Sequence, residues 1–382
     1  MNPKNTGRLS KPAFVLTAVM LLACGRDLSA SESDLWTYAH IPLSDSSALV
    51  SVQLQKSLQT VINTINARPI EELHSLDDTA LEFAFFTEFK SRYIRDVAWG
   101  MFEKCIGTNN CSDWPQFERI QMYPEESIYY AARWRFIPSR FHLASVVQVC
   151  GIRMGADKLT HFFDDAFHYF NALRSKRNKF EPDDIRQLSL TFEETYMGTR
   201  LTGIVSYADI EANLAGVQFY SDFFTGNSPM IGRDQDGRLK LIRKPDICNY
   251  VSEGYDERIL PNEFTYSLLD TTRARQRTQD LQRIIAARAK YSASQASALS
   301  AQELHAQKTM ILARRIPMTR WQSDFPKIRM VGHAAGMTTQ WIFDSNFRQV
   351  SNLFGFDPLK PHKLDDRIPI NIRRVESTYS TE

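Results

Sequence analysis

Two stretches decide how this chain is read: Asp157-Lys-Leu-Thr-His161-Phe-Phe-Asp164-Asp165-Ala-Phe-His168-Tyr-Phe170 and Ser206-Tyr-Ala-Asp209-Ile-Glu-Ala-Asn213-Leu-Ala-Gly216-Val-Gln-Phe-Tyr220. On a helical wheel of about 100° per residue, Asp157, His161, Asp164 and His168 form one narrow stripe. Leu159, Phe162, Phe163, Ala166, Phe167 and Phe170 take the opposite side. In the second stretch Asp209, Asn213, Gly216 and Tyr220 share a stripe flanked by Ala212, Val217, Phe223 and Phe224, while Glu211, Gln218 and Asp222 face away. The stripe carrying Asp209 and Asn213 is therefore expected to point into packing, where buried polar groups need hydrogen-bond partners. Candidates are Lys158, His161, Glu194 and Arg200. Gly216 leaves room for another backbone to come close, and Ser206 is a suitable N-cap.

Two readings of the first stretch stand side by side. A surface helix with its apolar face inward would use Asp–His pairs at i,i+4 for modest support. A helix whose polar stripe faces a cleft could hold a divalent metal or move protons, because imidazoles and carboxylates suit both tasks. A helix between them supplies Glu193-Glu194 ahead of Gly198 and Gly203. Adjacent helical residues rarely face the same way, so at most one glutamate joins the set, and the reading favours Glu194. Lys158 is either an anion handle or an ordinary surface lysine.

The order Asp157-Lys158-x-x-His161-Phe162, an acidic residue on a following helix, then Ser206-x-x-Asp209-x-x-x-Asn213-x-x-Gly216 resembles the pattern of VanZ-like proteins and their YfiM-type lipoprotein relatives. It covers residues 150–225 only. The resemblance implies a compact helical unit carrying an Asp/His/Glu/Asp/Asn set in an envelope protein. The chain departs from the membrane-spanning members, because these helices are too polar to span.

The N-terminus reads as an export signal. Lys4, Arg8 and Lys11 precede an apolar run, Ala13 to Ala23, which is shorter than the roughly 20 residues a membrane span needs. Leu21-Leu-Ala-Cys24-Gly25 resembles a lipobox, with Cys24 as the lipidated residue. Residues 1–24 are then a lipoprotein signal peptide and 25–382 one mature domain. Gly25 resembles the signal for outer-membrane sorting, on the periplasmic face. The alternative is ordinary cleavage near Leu28-Ser-Ala30, giving a soluble periplasmic or secreted protein.

The other cysteines are Cys105, Cys111, Cys150 and Cys248. In an exported protein an even count favours disulfides. The turn-rich loop between Cys105 and Cys111 suits one bridge, and elimination leaves Cys150 with Cys248. Zinc ligation is the alternative, although the C-x5-C spacing is unusual for it.

The fold expected is mainly α: a single large helical domain with a small β-hairpin insertion near 231–243, turning at Asp236-Gly237. Helices are expected over 50–68, 82–105, 141–150, 157–174, 183–202, 207–224, 262–291 and 301–315, with a last short one opening at Gly332-His333. Ser300 and Glu303 form a capping-box pattern. Asp234 and Asp236 resemble half of a calcium loop, but the remaining ligands are missing and a turn is expected. A net charge of +2 gives no general case for nucleic acid. Lys and Arg outnumber acids between Arg273 and Arg315, which suits either a solvated helix face or an anionic lipid surface.

Two classes of function follow. One is a non-catalytic envelope lipoprotein with a structural or partner-binding role, in which Asp157, His161, Asp209 and Asn213 form a buried network. The other is a metal-dependent hydrolase acting on an envelope lipid or glycan. There His161 and Glu194 would bind the metal or act as base, and Asp157 and Asp209 would orient or ligate, Asp209 as the third metal ligand. Lys158 would neutralise an anionic group, and Asn213 belongs to the same candidate set.

Overall fold

Val50, Leu54, Leu58, Val61, Ile62 and Ile65 recur at three- and four-residue steps, and they form the buried face of α1 (Ser47–Asn66). The computed structural model describes residues 32–94, 101–109, 111–131, 143–174, 182–194, 204–225, 228–264 and 271–314. All of them lie in the unit Met1–Arg329. The signal-like N-terminus, Arg200, His142, His333 and the tail beyond Gly355 lie outside the described residues.

After α1 come α2 (Ile70–Ser75) and α3 (Asp78–Tyr93), the latter capped by Asp77, whose side chain accepts from the Ala80 amide. The single helix expected over 82–105 is two, α3 and α4 (Met101–Thr108), because Ile94 turns extended (φ −98°, ψ 115°). Next are the short α5 (Ile128–Ala131) and an antiparallel hairpin, β1 (Val146–Val149) with β2 (Ile152–Gly155). This corrects the expected helix over 141–150. Three valines in four residues favour a strand, and Cys150 and Gly151 both take positive φ (55° and 76°) to turn the chain back.

The first deciding stretch is helical throughout, but not uniformly. α6 (Asp157–Thr160) passes into a π-helical turn (His161–Asp165) and then α7 (Ala166–Arg174). π turns are rare and tend to mark functional sites. α8 (Pro182–Phe192) is described as far as 194. β3 (Ile204–Val205) leads to α9 (Tyr207–Ser221), where the Ser206 side chain accepts from the Asp209 amide as the cap pattern requires. β4 (Ile231–Arg233) and β5 (Leu239–Leu241) are the expected hairpin. Its turn is held by Asp234 Oδ1, which accepts from the amides of Asp236 and Arg238, and Gly237 takes φ 75°. β6 (Glu263–Phe264) pairs with β3, so the helix expected from 262 begins later, as α10 (Thr271–Ala298). α11 (Ala301–Leu312) carries the complete Ser300/Glu303 capping box.

The architecture is mainly α, with three two-stranded antiparallel pairs among the described residues. The larger core is aromatic. Phe85, Phe86 and Phe89 of α3 meet Phe167 of α7 and Tyr220 and Phe223 around α9. α9 lies against the π turn so closely that a Cβ on Gly216 would stand 2.0 Å from the Phe162 carbonyl oxygen. A smaller core joins Leu35, Trp36, Ile41 and Leu43 to Ile128, Tyr129, Leu281 and Ile311. Residues 32–43, though irregular, thus supply part of a buried core. Asp34 accepts from the amides of Trp36, Thr37 and Ile128, which ties this segment to the start of α5.

Both expected disulfides form. Cys105–Cys111 has its Cα atoms 5.2 Å apart, and Cys150–Cys248 has them 5.4 Å apart across a separation of 98 residues. The second fastens the β1–β2 turn, just ahead of α6, to the chain beyond β5. No described helix is long and apolar enough to cross a membrane.

Candidate functional site

Lys158 lies among three buried carboxylates. Its side chain is 0% exposed, and its ammonium stands 2.7 Å from Asp157 Oδ2, 2.6 Å from Asp209 Oδ1 and 2.6 Å from Glu257 Oε1. Three short contacts to carboxylates replace the water that a buried ammonium would otherwise lose. Burial alone would pull the lysine down, but Asp157, Asp209, Glu257 and Glu32 outweigh it and hold its pKa well above the usual value.

Each partner arrives from a different segment. Asp157 opens α6 and also accepts from Ser33 Oγ at 2.7 Å. Gly155 makes that contact possible, because a Cβ there would stand 2.0 Å from both Asp157 Oδ1 and Ser33 Oγ. Asp209 comes from the first turn of α9, and Glu257 from the loop ahead of β6. Glu32, 3% exposed, closes the cluster from the N-terminal segment.

Asp209 joins this cluster to a second one. Its other oxygen lies 3.2 Å from His161 Nε2, and His161 Nδ1 lies 3.0 Å from Asp165 Oδ2 one turn along. Burial works against charge on both partners. Even so, the Asp209 and Asp165 carboxylates raise His161 well above its ordinary value, while His161 and Lys158 hold Asp209 well below its own. Glu193, 3% exposed, lies beside this pair. Burial and the neighbouring Asp209 push it up to about 8. Glu257 is pushed up to about 7 by burial, with Lys158 opposing. Glu32 is raised well above the carboxylate range by burial, Glu257 and Asp209.

The charge balance explains these directions. Five buried carboxyl groups (Glu32, Asp157, Glu193, Asp209, Glu257) share two side chains able to carry positive charge, Lys158 and His161. The glutamates relieve the excess by keeping protons.

Of the residues singled out in the sequence, Asp157, Lys158, His161 and Asp209 converge. Asn213 is buried in the same stripe, and its amide donates to Ser189 of α8 at 2.9 Å. Glu194 does not converge. It is exposed, and Glu193 beside it is the buried glutamate, because the first residue past α8 faces α9 and the second faces out. The first stretch is also no surface helix: Asp157, His161 and Asp164 are buried like the phenylalanines opposite, and His168 is partly covered. Glu32 and Glu257 escape sequence reading. Both sit in irregular segments, where no periodicity separates an inward carboxylate from an outward one.

Among the described residues, two sets of donor atoms lie within 4.8 Å of one another: His161, Glu193 and Asp209, and Asp157, Asp209 and Glu257. The second already surrounds the Lys158 ammonium. No family model, curated protein or solved structure matches this chain.

Proposed function

We propose that this protein is a non-catalytic envelope lipoprotein, anchored through Cys24 on the periplasmic face of the outer membrane, with a structural or partner-binding role. The Lys158-centred network holds its helical core in one register. One observation carries the reading: Lys158 is sealed by three carboxylates and has no exposed surface, so its charge is spent inside the fold. A lysine serving an anionic substrate group would present a free donor. Asp157, Asp209 and His161 are equally enclosed, at 1%, 2% and 2% exposure. The two disulfides support an oxidising compartment, and the lipobox-like run ending at Cys24 supports the anchor.

A metal-dependent hydrolase acting on an envelope lipid or glycan is the competing class. It takes second place because substrate would have to reach groups that the fold covers. His161→Ala separates the two, with unfolding measured in EDTA. The network reading expects a marked fall in melting temperature, because Asp209 and Asp165 lose a shared partner. Unchanged or improved stability would instead indicate a strained site kept for chemistry. For the anchor, labelling with a radioactive fatty acid should mark the wild type and not Cys24→Ser.

A further inference from the structure

We propose that His161, Glu193 and Asp209 form a binding site for one first-row divalent cation of the Zn2+ or Mn2+ type, held between the π turn, the end of α8 and the first turn of α9.

The two donor sets of the cluster have the same design and different occupants. In the set formed by Asp157, Asp209 and Glu257, the lysine ammonium is the resident cation, 2.6 to 2.7 Å from each carboxylate. In the set formed by His161, Glu193 and Asp209, the donors again lie within 4.8 Å of one another. Lys158 is engaged on the far oxygen of Asp209, and no lysine or arginine pairs with Glu193 among the described residues. Glu193 carries the argument. The residue is 3% exposed, a carboxylate oxygen lies within 4.8 Å of donor atoms of His161 and Asp209, and among the described residues no hydrogen bond or ion pair engages it. A buried carboxylate without a partner is costly, and a cation between it and Asp209 supplies one.

The imidazole is already arranged as a ligand. Nδ1 faces Asp165 Oδ2 at 3.0 Å, which leaves Nε2 directed at Asp209. A carboxylate behind the far nitrogen of a ligating histidine orients the ring and makes it a better donor. The π turn beginning at His161 places both residues. One nitrogen and two carboxylate oxygens suit Zn2+ or Mn2+ better than the all-oxygen preference of Ca2+. An ion at ~2.1 Å from each donor requires modest closure of the Glu193 side chain. A dication also corrects the surplus of buried carboxylates.

The test is calorimetric titration of the EDTA-stripped, dialysed protein with ZnCl2 and with MnCl2, on wild type and Glu193→Gln. Because Glu193 loses no hydrogen bond or ion pair to the described residues, Glu193→Gln is expected to fold and to melt in EDTA within a few degrees of the wild type. The wild type should take up one ion per chain and melt higher when loaded, and Glu193→Gln should bind at least tenfold more weakly. Asp165→Asn, which changes only the group behind the imidazole, should weaken binding by about 10- to 100-fold. Absence of saturable uptake by the wild type would overturn the site, as would full affinity in Glu193→Gln. Either failure leaves the network reading standing, since His161→Ala melting in EDTA tests that reading without metal.

Discussion

Asp209 bridges two cations with one carboxylate: Oδ1 lies 2.6 Å from Lys158 Nζ, and Oδ2 lies 3.2 Å from His161 Nε2. The first turn of α9 is thereby fastened to two successive turns of the helix that begins at Asp157. Removing one member of a buried charged set leaves the others uncompensated, which is the expensive way to break it.

Asp209→Asn keeps the shape and removes the charge that both cations share. It should cost about 3–5 kcal/mol, measured by urea unfolding at pH 6. Glu257→Gln at the same pH should cost no more than about 1.5 kcal/mol, the scale of one ordinary hydrogen bond. Glu257 already tends toward its protonated form, its pKa being about 7. Equal costs for the two variants would mean that the carboxylates around Lys158 are interchangeable.

Stability of the metal-free protein should fall as pH rises from about 5 to 9. Glu193 and Glu257 have folded pKa values raised to about 8 and about 7, against about 4.3 in an unfolded chain. Between those limits the native state binds more protons than the unfolded one, so stability decreases with pH. The raised pKa of His161 acts in the same direction. Asp209 acts oppositely, its contribution disappearing below the usual carboxylate range as acid protonates it. Urea midpoints in EDTA should therefore peak near pH 5, and Glu193→Gln combined with Glu257→Gln should flatten the decline between pH 6 and 8.

Gly216→Ala should destabilise by about 1–3 kcal/mol, the usual cost of forcing atoms into a filled core. A Cβ at this position would stand 2.0 Å from the Phe162 carbonyl oxygen and 2.4 Å from Ala166 Cβ, so α9 would have to move off the π turn. Ala215→Ser, on the partly exposed flank of the same helix, is the control, and chemical denaturation should find it close to the wild type.

Loss of the long-range disulfide through Cys150→Ser with Cys248→Ser should cost about 4 kcal/mol. The bridge closes a loop of 98 residues, and the loss of unfolded-chain entropy grows with loop length. Cys105→Ser with Cys111→Ser, closing a separation of 6, should cost clearly less. Paired denaturation curves under non-reducing conditions decide the order.

Periodicity makes part of this site legible in the sequence. Asp209, Asn213 and Gly216 lie on a helix, where a wheel separates inward from outward, and each is buried as that pattern requires. Asp157 and His161 lie opposite the apolar face of theirs, where the wheel allows a wet side or a cleft, and both are buried. Lys158 is ambiguous on the same wheel, since nothing local announces that three carboxylates from distant segments surround it. At Glu193-Glu194 the choice turns on about 100° of helical phase at the end of α8, and the inward residue is Glu193. Glu32 and Glu257 come from irregular backbone, and only the tertiary fold brings them in. Residues 146–155 differ from expectation for another reason. A short apolar run fits a helix or a strand, and the left-handed turn at Cys150-Gly151 settles it as a hairpin.

Lys158→Met tests the central claim most directly. Methionine fills a similar volume and removes the cation around which Asp157, Asp209 and Glu257 are arranged. If the network holds the fold, urea unfolding in EDTA at pH 7 should show a loss of about 3–5 kcal/mol relative to the wild type. A variant that unfolds within about 0.5 kcal/mol of the wild type, the range of an ordinary surface substitution, would contradict the account.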